Sequence, residues 1–122
     1  MNYIILKFAL VLFLVDMIWI QGMKKTHLSV IQSVQKEKPQ IRYWAGILFY
    51  LIAAFVWYQL IYKQKLDWKY AVVLGMGMYA TYDLTMITAY KSYPVTYAFI
   101  DIAWGAFAFG LTTKIITSKK VF

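Results

Sequence analysis

Asp16, Asp83 and Asp101 each lie inside a long apolar run of the chain. A charged Asp at the bilayer centre costs about 2.5 to 3.5 kcal/mol on the insertion scale, whereas each Leu, Ile, Phe or Val contributes about −0.3 to −0.6. Three such groups offset the contribution of roughly twenty aliphatic residues, which makes them candidates for function. The remaining acids, Glu37 and Asp67, lie between the runs. Gathered carboxyl groups with no Lys, Arg or His beside them cannot all stay ionised, so protons or a cation must neutralise them. Lys7 falls near the opposite end of its run, and His27 reads as a solvated residue of a connecting segment. The chemistry to expect is binding of protons, of a hard cation (Mg²⁺, Ca²⁺ or Na⁺) on oxygen ligands, or of an organic amine.

The elements that must position these groups follow from length. Segments 3–22, 43–62, 70–90 and 93–113 are apolar, and each has the roughly 20 residues a helix needs to cross about 30 Å of hydrocarbon. The first is too long for a signal peptide, contains Asp16 and is followed by no small-x-small cleavage site, so it is expected to stay in the chain. Segment 23–42 is the one substantial connection. Within it Leu28, Ile31 and Val34 recur opposite Lys25, Gln32 and Lys36, as in a short interfacial helix or a continuation of the first span. The other connections, 63–69 and 91–92, are short, and Pro94 suits the first turn of the last helix. Short connections force antiparallel neighbours. The expected fold is all-α: one membrane domain over 1–122, an antiparallel four-helix transmembrane bundle.

Depth ties the three acids together. Asp16 precedes Gly22 by six residues, Asp83 precedes Tyr90 by seven, and Asp101 follows Pro94 by seven. At 1.5 Å per residue all three lie about 9–11 Å below the same face. Tyr50 reaches that depth on the second helix. Asp16-Met17-Ile18-Trp19 and Asp101-Ile102-Ala103-Trp104 repeat an Asp-x-x-Trp spacing. Residues three apart share a helix face, so Trp19 and Trp104 are each expected beside their own carboxyl. Tyr79 and Met86 share the face of Asp83, Tyr82 precedes it, and Tyr97 lies one turn outward of Asp101. An aromatic-walled acidic pocket is expected, open toward the first and third connections.

Trp44, Trp57, Trp68, Tyr43, Tyr62, Tyr70, Tyr90 and Tyr93 stand near span ends and read as interfacial anchors. Ala71-x-x-x-Gly75, Gly77-x-x-x-Thr81 and Ala106-x-x-x-Gly110 read as small-residue faces for close helix approach.

Asp-Met-Ile-Trp at 16–19, Tyr-Asp-Leu-Thr at 82–85 and Asp-Ile-Ala-Trp-Gly at 101–105 resemble the hallmarks of a predicted membrane-protein family known as domain of unknown function 2177. The resemblance runs over nearly the whole chain and implies similar length and four spans. It implies no activity. Where the family pattern continues with Asn this chain has Met86, which takes a polar side chain out of the pocket.

Composition sets the remaining bounds. The 122 residues are 62% hydrophobic and 15% charged, against roughly 45–50% and 25% in soluble domains. A soluble domain and a disordered chain are both excluded. Cysteine is absent, so there is no thiolate metal site and no disulfide framework. The net charge of +8 comes from Lys and Arg flanking the apolar runs, among them Lys24, Lys25, Lys36, Lys38, Arg42, Lys63, Lys65, Lys69, Lys114, Lys119 and Lys120. These meet lipid head groups rather than nucleic acid. They are nearly balanced between the two faces, so orientation is open and a homo-oligomer of either topology is permitted. Two functional readings follow: a small integral membrane protein binding protons or a cation in transport or sensing, or a membrane-embedded enzyme acting on lipid. A scaffold without turnover is the third. No cofactor is expected beyond a hard cation, and the expected partners are the bilayer and a small cation or lipid ligand.

Overall fold

The computed structural model describes residues 3–35 and 43–117. Lys36, Glu37, Lys38, Pro39, Arg42, Lys119 and Lys120 lie outside them, as does the side chain of Val34. The described residues form helices α1 (Tyr3–Gly22), α2 (Lys24–Gln35), α3 (Tyr43–Trp57), α4 (Trp68–Ala89) and α5 (Val95–Ile116). α3 runs on through a π-helical turn, Tyr58–Tyr62, before reaching the α3–α4 connection. Helices Tyr3–Gly22, Tyr43–Tyr62 and Val95–Ile116 are long and apolar enough to cross a membrane. α4 matches them in length at 22 residues, but Thr81, Asp83, Thr85 and Thr88 make it more polar. All three threonines donate to the carbonyl four residues back, which satisfies their hydroxyls within the helix.

Local chemistry fixes the ends. Asp67 caps α4, its side chain accepting from the Lys69 amide at 3.0 Å. Pro94 stands at the N-cap of α5, just outside the first turn where the sequence had suggested it. Lys65 closes the end of the π-helical turn with φ 58°, a left-handed position more usual for glycine, and the Leu66 amide returns to the Ile61 carbonyl at 2.9 Å.

The four long helices pack antiparallel along the chain. α4 and α5 form the tightest pair, because glycine lets their backbones meet. A Cβ at Gly75 would overlap the Gly105 carbonyl and the Phe109 side chain; one at Gly105 would overlap the Tyr79 ring; one at Gly110 would press on Val72. Gly77, by contrast, faces open space, and Thr81 is exposed, so the Gly77-x-x-x-Thr81 pair is no packing face. α1 lies against both α5 and α3, whereas α3 meets α4 only lightly.

The inner half of the bundle is apolar. Phe8 stacks on Trp57 with centroids 4.3 Å apart and meets Phe109 edge-on at 5.5 Å. Leu12, Ala53, Ala54, Ala71 and Ala108 fill the space around them. Trp57 is therefore buried rather than an interfacial anchor, and its indole N–H donates to the Thr113 hydroxyl at 2.9 Å. Tyr93 is likewise buried. Tyr43, Trp44, Tyr62, Trp68, Tyr70 and Tyr90 are exposed, as anchors should be.

Candidate functional site

Above the apolar layer every long helix contributes a polar side chain. Asp16 of α1 is 5% exposed and takes donors from the other three. Tyr50 of α3 donates at 2.8 Å, Trp104 of α5 at 2.8 Å and Tyr79 of α4 at 3.2 Å. A carboxylate with donors on both oxygens is well matched, and each donor also ties one helix to α1. Asp83 of α4 is fully buried and accepts from the Tyr93 hydroxyl at 2.8 Å on one oxygen. Its Oδ2 has no partner among the described residues. Asp101 of α5 is half-buried and neighbours Asp83, Asp16 and the Trp19 indole.

The three acids occupy two storeys rather than a single layer. Tyr79 lies against Gly105 and Asp16 bonds Trp104, so Asp16 is level with the Trp104 turn. Asp101, three residues away, stands about one helical turn (roughly 4.5 Å) nearer the α4–α5 connection, facing Asp83. The Asp-x-x-Trp segments also pair differently from the expectation. Trp104 donates to Asp16, not to its own Asp101. Trp19 lies beside Asp101, though its N–H falls short of a hydrogen bond there. The two indoles stack on each other, 4.9 Å apart and 11° from parallel. Each motif thus serves the carboxyl of the opposite helix. Antiparallel packing with the acids one turn apart brings each Trp level with the other strand's Asp.

These groups surround a cleft of about 490 Å³. Asp16, Asp101, Trp19, Tyr79, Tyr82 and Tyr97 line it from α1, α4 and α5, joined by Met86 and Tyr93. Tyr50 and Trp104 stand behind Asp16, and Asp83 stands behind Tyr93, rather than on the wall itself. The remaining wall comes from α2. Its helix breaks from α1 at Met23 and bends over the bundle, laying His27, Val30 and Ile31 on the cleft. Helical hydrogen bonds still cross the junction, from the Met23 amide to the Trp19 carbonyl and from the His27 amide to the Met23 carbonyl, both at 2.9 Å.

His27 corrects the sequence reading most directly, because it is no solvated loop residue. Its Nδ1 is within hydrogen-bond reach of the Tyr97 hydroxyl, its ring meets Trp19 edge-on at 5.7 Å, and its Nε2 is buried without a partner among the described residues. Burial pushes its pKa below the ordinary histidine range, keeping the imidazole neutral. The spacing of His27, Val30 and Ile31 (i, i+3, i+4) is the signal that could have found this face; of the residues the sequence picks out there, Ile31 lines the cleft and Leu28 is exposed.

No three His, Asp or Glu side chains among the described residues converge closely enough to hold a metal ion. Aromatic rings of Trp19, Tyr79, Tyr82 and Tyr97 line the cleft beside Asp16 and Asp101.

Buried acids tied across three apolar helices define a multi-pass integral membrane protein. The chain belongs to the family described as Predicted membrane protein (DUF2177), whose model matches residues 1–117. No curated protein and no solved structure matches it.

Proposed function

We propose that this protein binds an organic cation in the cleft between α1, α2, α4 and α5, and that it does so in sensing or transport. One observation carries the reading. Two carboxyl groups and the rings of Trp19, Tyr79, Tyr82, Tyr93 and Tyr97 line a single cleft, with no Lys or Arg on its wall among the described residues. The volume is within the roughly 300–1,000 Å³ of small-molecule sites. Asp101 faces both Asp83 and Asp16, so an ammonium group bound here would meet more than one carboxyl group. Aromatic faces attract that ammonium further. The cleft belongs to one end of the bundle, and Phe8, Trp57 and Phe109 close the way to the other. Ligand therefore binds in the half of the bundle nearer the α1–α2 and α4–α5 connections.

The test is thermal unfolding in lipid nanodiscs with tetramethylammonium, primary amines, Na⁺, Mg²⁺ and Ca²⁺. Organic cations should raise the melting temperature by mass action. Asp101→Asn should remove that rise at little cost to the unliganded protein. If wild type, Asp16→Asn and Asp101→Asn respond alike to every cation, the carboxyl groups only hold the bundle together.

A further inference from the structure

Asp101 is reached from two directions. Besides the main cleft, a smaller cavity of about 240 Å³ opens between α3 and the α4–α5 pair, lined by Phe49, Met78, Tyr79, Tyr82 and Asp101. Tyr79, Tyr82 and Asp101 line both. This groove exists because α3 leans on α1 and meets α4 only lightly, with Phe49 and Tyr79 in edge contact at 6.4 Å. Its outer rim is the lipid side of the bundle: Phe49 is 37% and Tyr82 57% exposed. Asp101 is also less buried than Asp16 or Asp83. A carboxyl open toward hydrocarbon is costly unless a polar or charged group covers it, which an ordinary lipid tail cannot do.

Resting on the proposed cation site, we infer that its ligand is an amphiphile: an amine whose head sits at Asp101 and whose alkyl chain leaves between α3 and α4 into the bilayer. The chemistry divides cleanly along the groove. Asp101 and the hydroxyls of Tyr79 and Tyr82 offer acceptors and π-faces to the head, while Phe49 and Met78 offer only apolar surface to the tail. A chain in this groove gains no hydrophobic free energy over lipid, because the bilayer is as apolar as the groove. It gains a route: the ligand enters sideways, with its head never leaving the membrane for water.

The experiment uses the full chain in nanodiscs with two probes, tetramethylammonium and a dodecylamine carrying a diazirine midway along its chain. Photolysis of the long probe should label Phe49 or Met78, and excess unlabelled dodecylamine should suppress the labelling. Met78→Trp, which fills the groove, should weaken dodecylamine binding at least tenfold and leave tetramethylammonium unchanged. Phe49→Ala, which widens it, should keep both. If both probes bind but Met78→Trp alters neither and labels fall at Trp19 or Tyr97, the lateral route is wrong while the cation site stands. If neither probe binds wild type, the cation site itself is wrong. Labelling of Phe49 and Met78 that dodecanol suppresses as well as dodecylamine overturns the inference, since the groove would then take any lipid chain.

Discussion

The two halves of this bundle hold together in different ways. Around Phe8, Trp57 and Phe109 the contacts are ring on ring and backbone on backbone, with alanine and glycine filling the gaps. Around Asp16 the contacts are hydrogen bonds from single tyrosines and a tryptophan, and beside them is a cleft. Close packing in the first half leaves little room for anything but itself. The second half trades some of that packing for directed polar groups and space. Stability should therefore concentrate in the inner half and ligand response in the outer one, and substitutions can separate the two.

The largest effect should come from Gly75→Leu. The added side chain has to enter the Gly105 carbonyl and the Phe109 ring, so it must push α4 off α5. Overpacking of this kind costs about 3 kcal/mol or more, and the chain should unfold far below wild type in a detergent melt. An unchanged melt would mean that the α4–α5 crossing is not where the bundle is held.

Asp16→Asn should be milder. It weakens three interhelical hydrogen bonds, each contributing about 0.6 kcal/mol in membrane proteins, for a loss near 2 kcal/mol at most. The loss should be visible by chemical unfolding and should come with altered Trp104 fluorescence. A loss as large as that of Gly75→Leu would erase the contrast between the halves.

His27 gives a pH dependence confined to the outer half. Its pKa is lower folded than unfolded because burial penalises the imidazolium. Protons therefore favour the form with α2 lifted. The stabilisation is complete above the unfolded value of about 6.5, declines as pH falls through it, and levels off below the folded value. Amide protection across α2, corrected for the intrinsic exchange rate, should fall between about pH 7 and 5, while protection in the Phe8 layer should not. His27→Gln should abolish the change. Equal loss of protection in both halves would show that the effect is not local to α2.

Gly77→Ala should do least. A methyl there meets nothing, and alanine is the better helix former by about 0.5–1 kcal/mol. The variant should be as stable as wild type or slightly more so. A clear loss would mean that Gly77 packs against a second copy of the chain.

The contrast also explains what could be read in advance. Asp16, Asp83 and Asp101 were conspicuous because a carboxyl in an apolar run stands out whatever surrounds it, and 20-residue runs announce helices. The burial of Trp57 could not be read, since it depends on Phe8 of α1 and Thr113 of α5 meeting its ring from helices distant in the chain. Nor could the partners of Trp19 and Trp104, which depend on how far α1 slides along α5. That quantity belongs to neither segment alone. His27 was missed for a related reason: its environment is made by α2 bending over helices distant in the chain.

The crossed pairing of the two Asp-x-x-Trp segments has a consequence for how this chain can change over generations. Each indole answers to an acid about 85 residues away, so neither tetrapeptide is free to drift alone. Inserting one residue in α1 ahead of Asp16 would turn that acid about 100° around the helix and orphan Trp104 and Asp101 together. Only a matching shift in α5 could restore both. The two segments are in effect one inherited unit written in two places, and a lineage that loses half of it should be found to have lost or rebuilt the other.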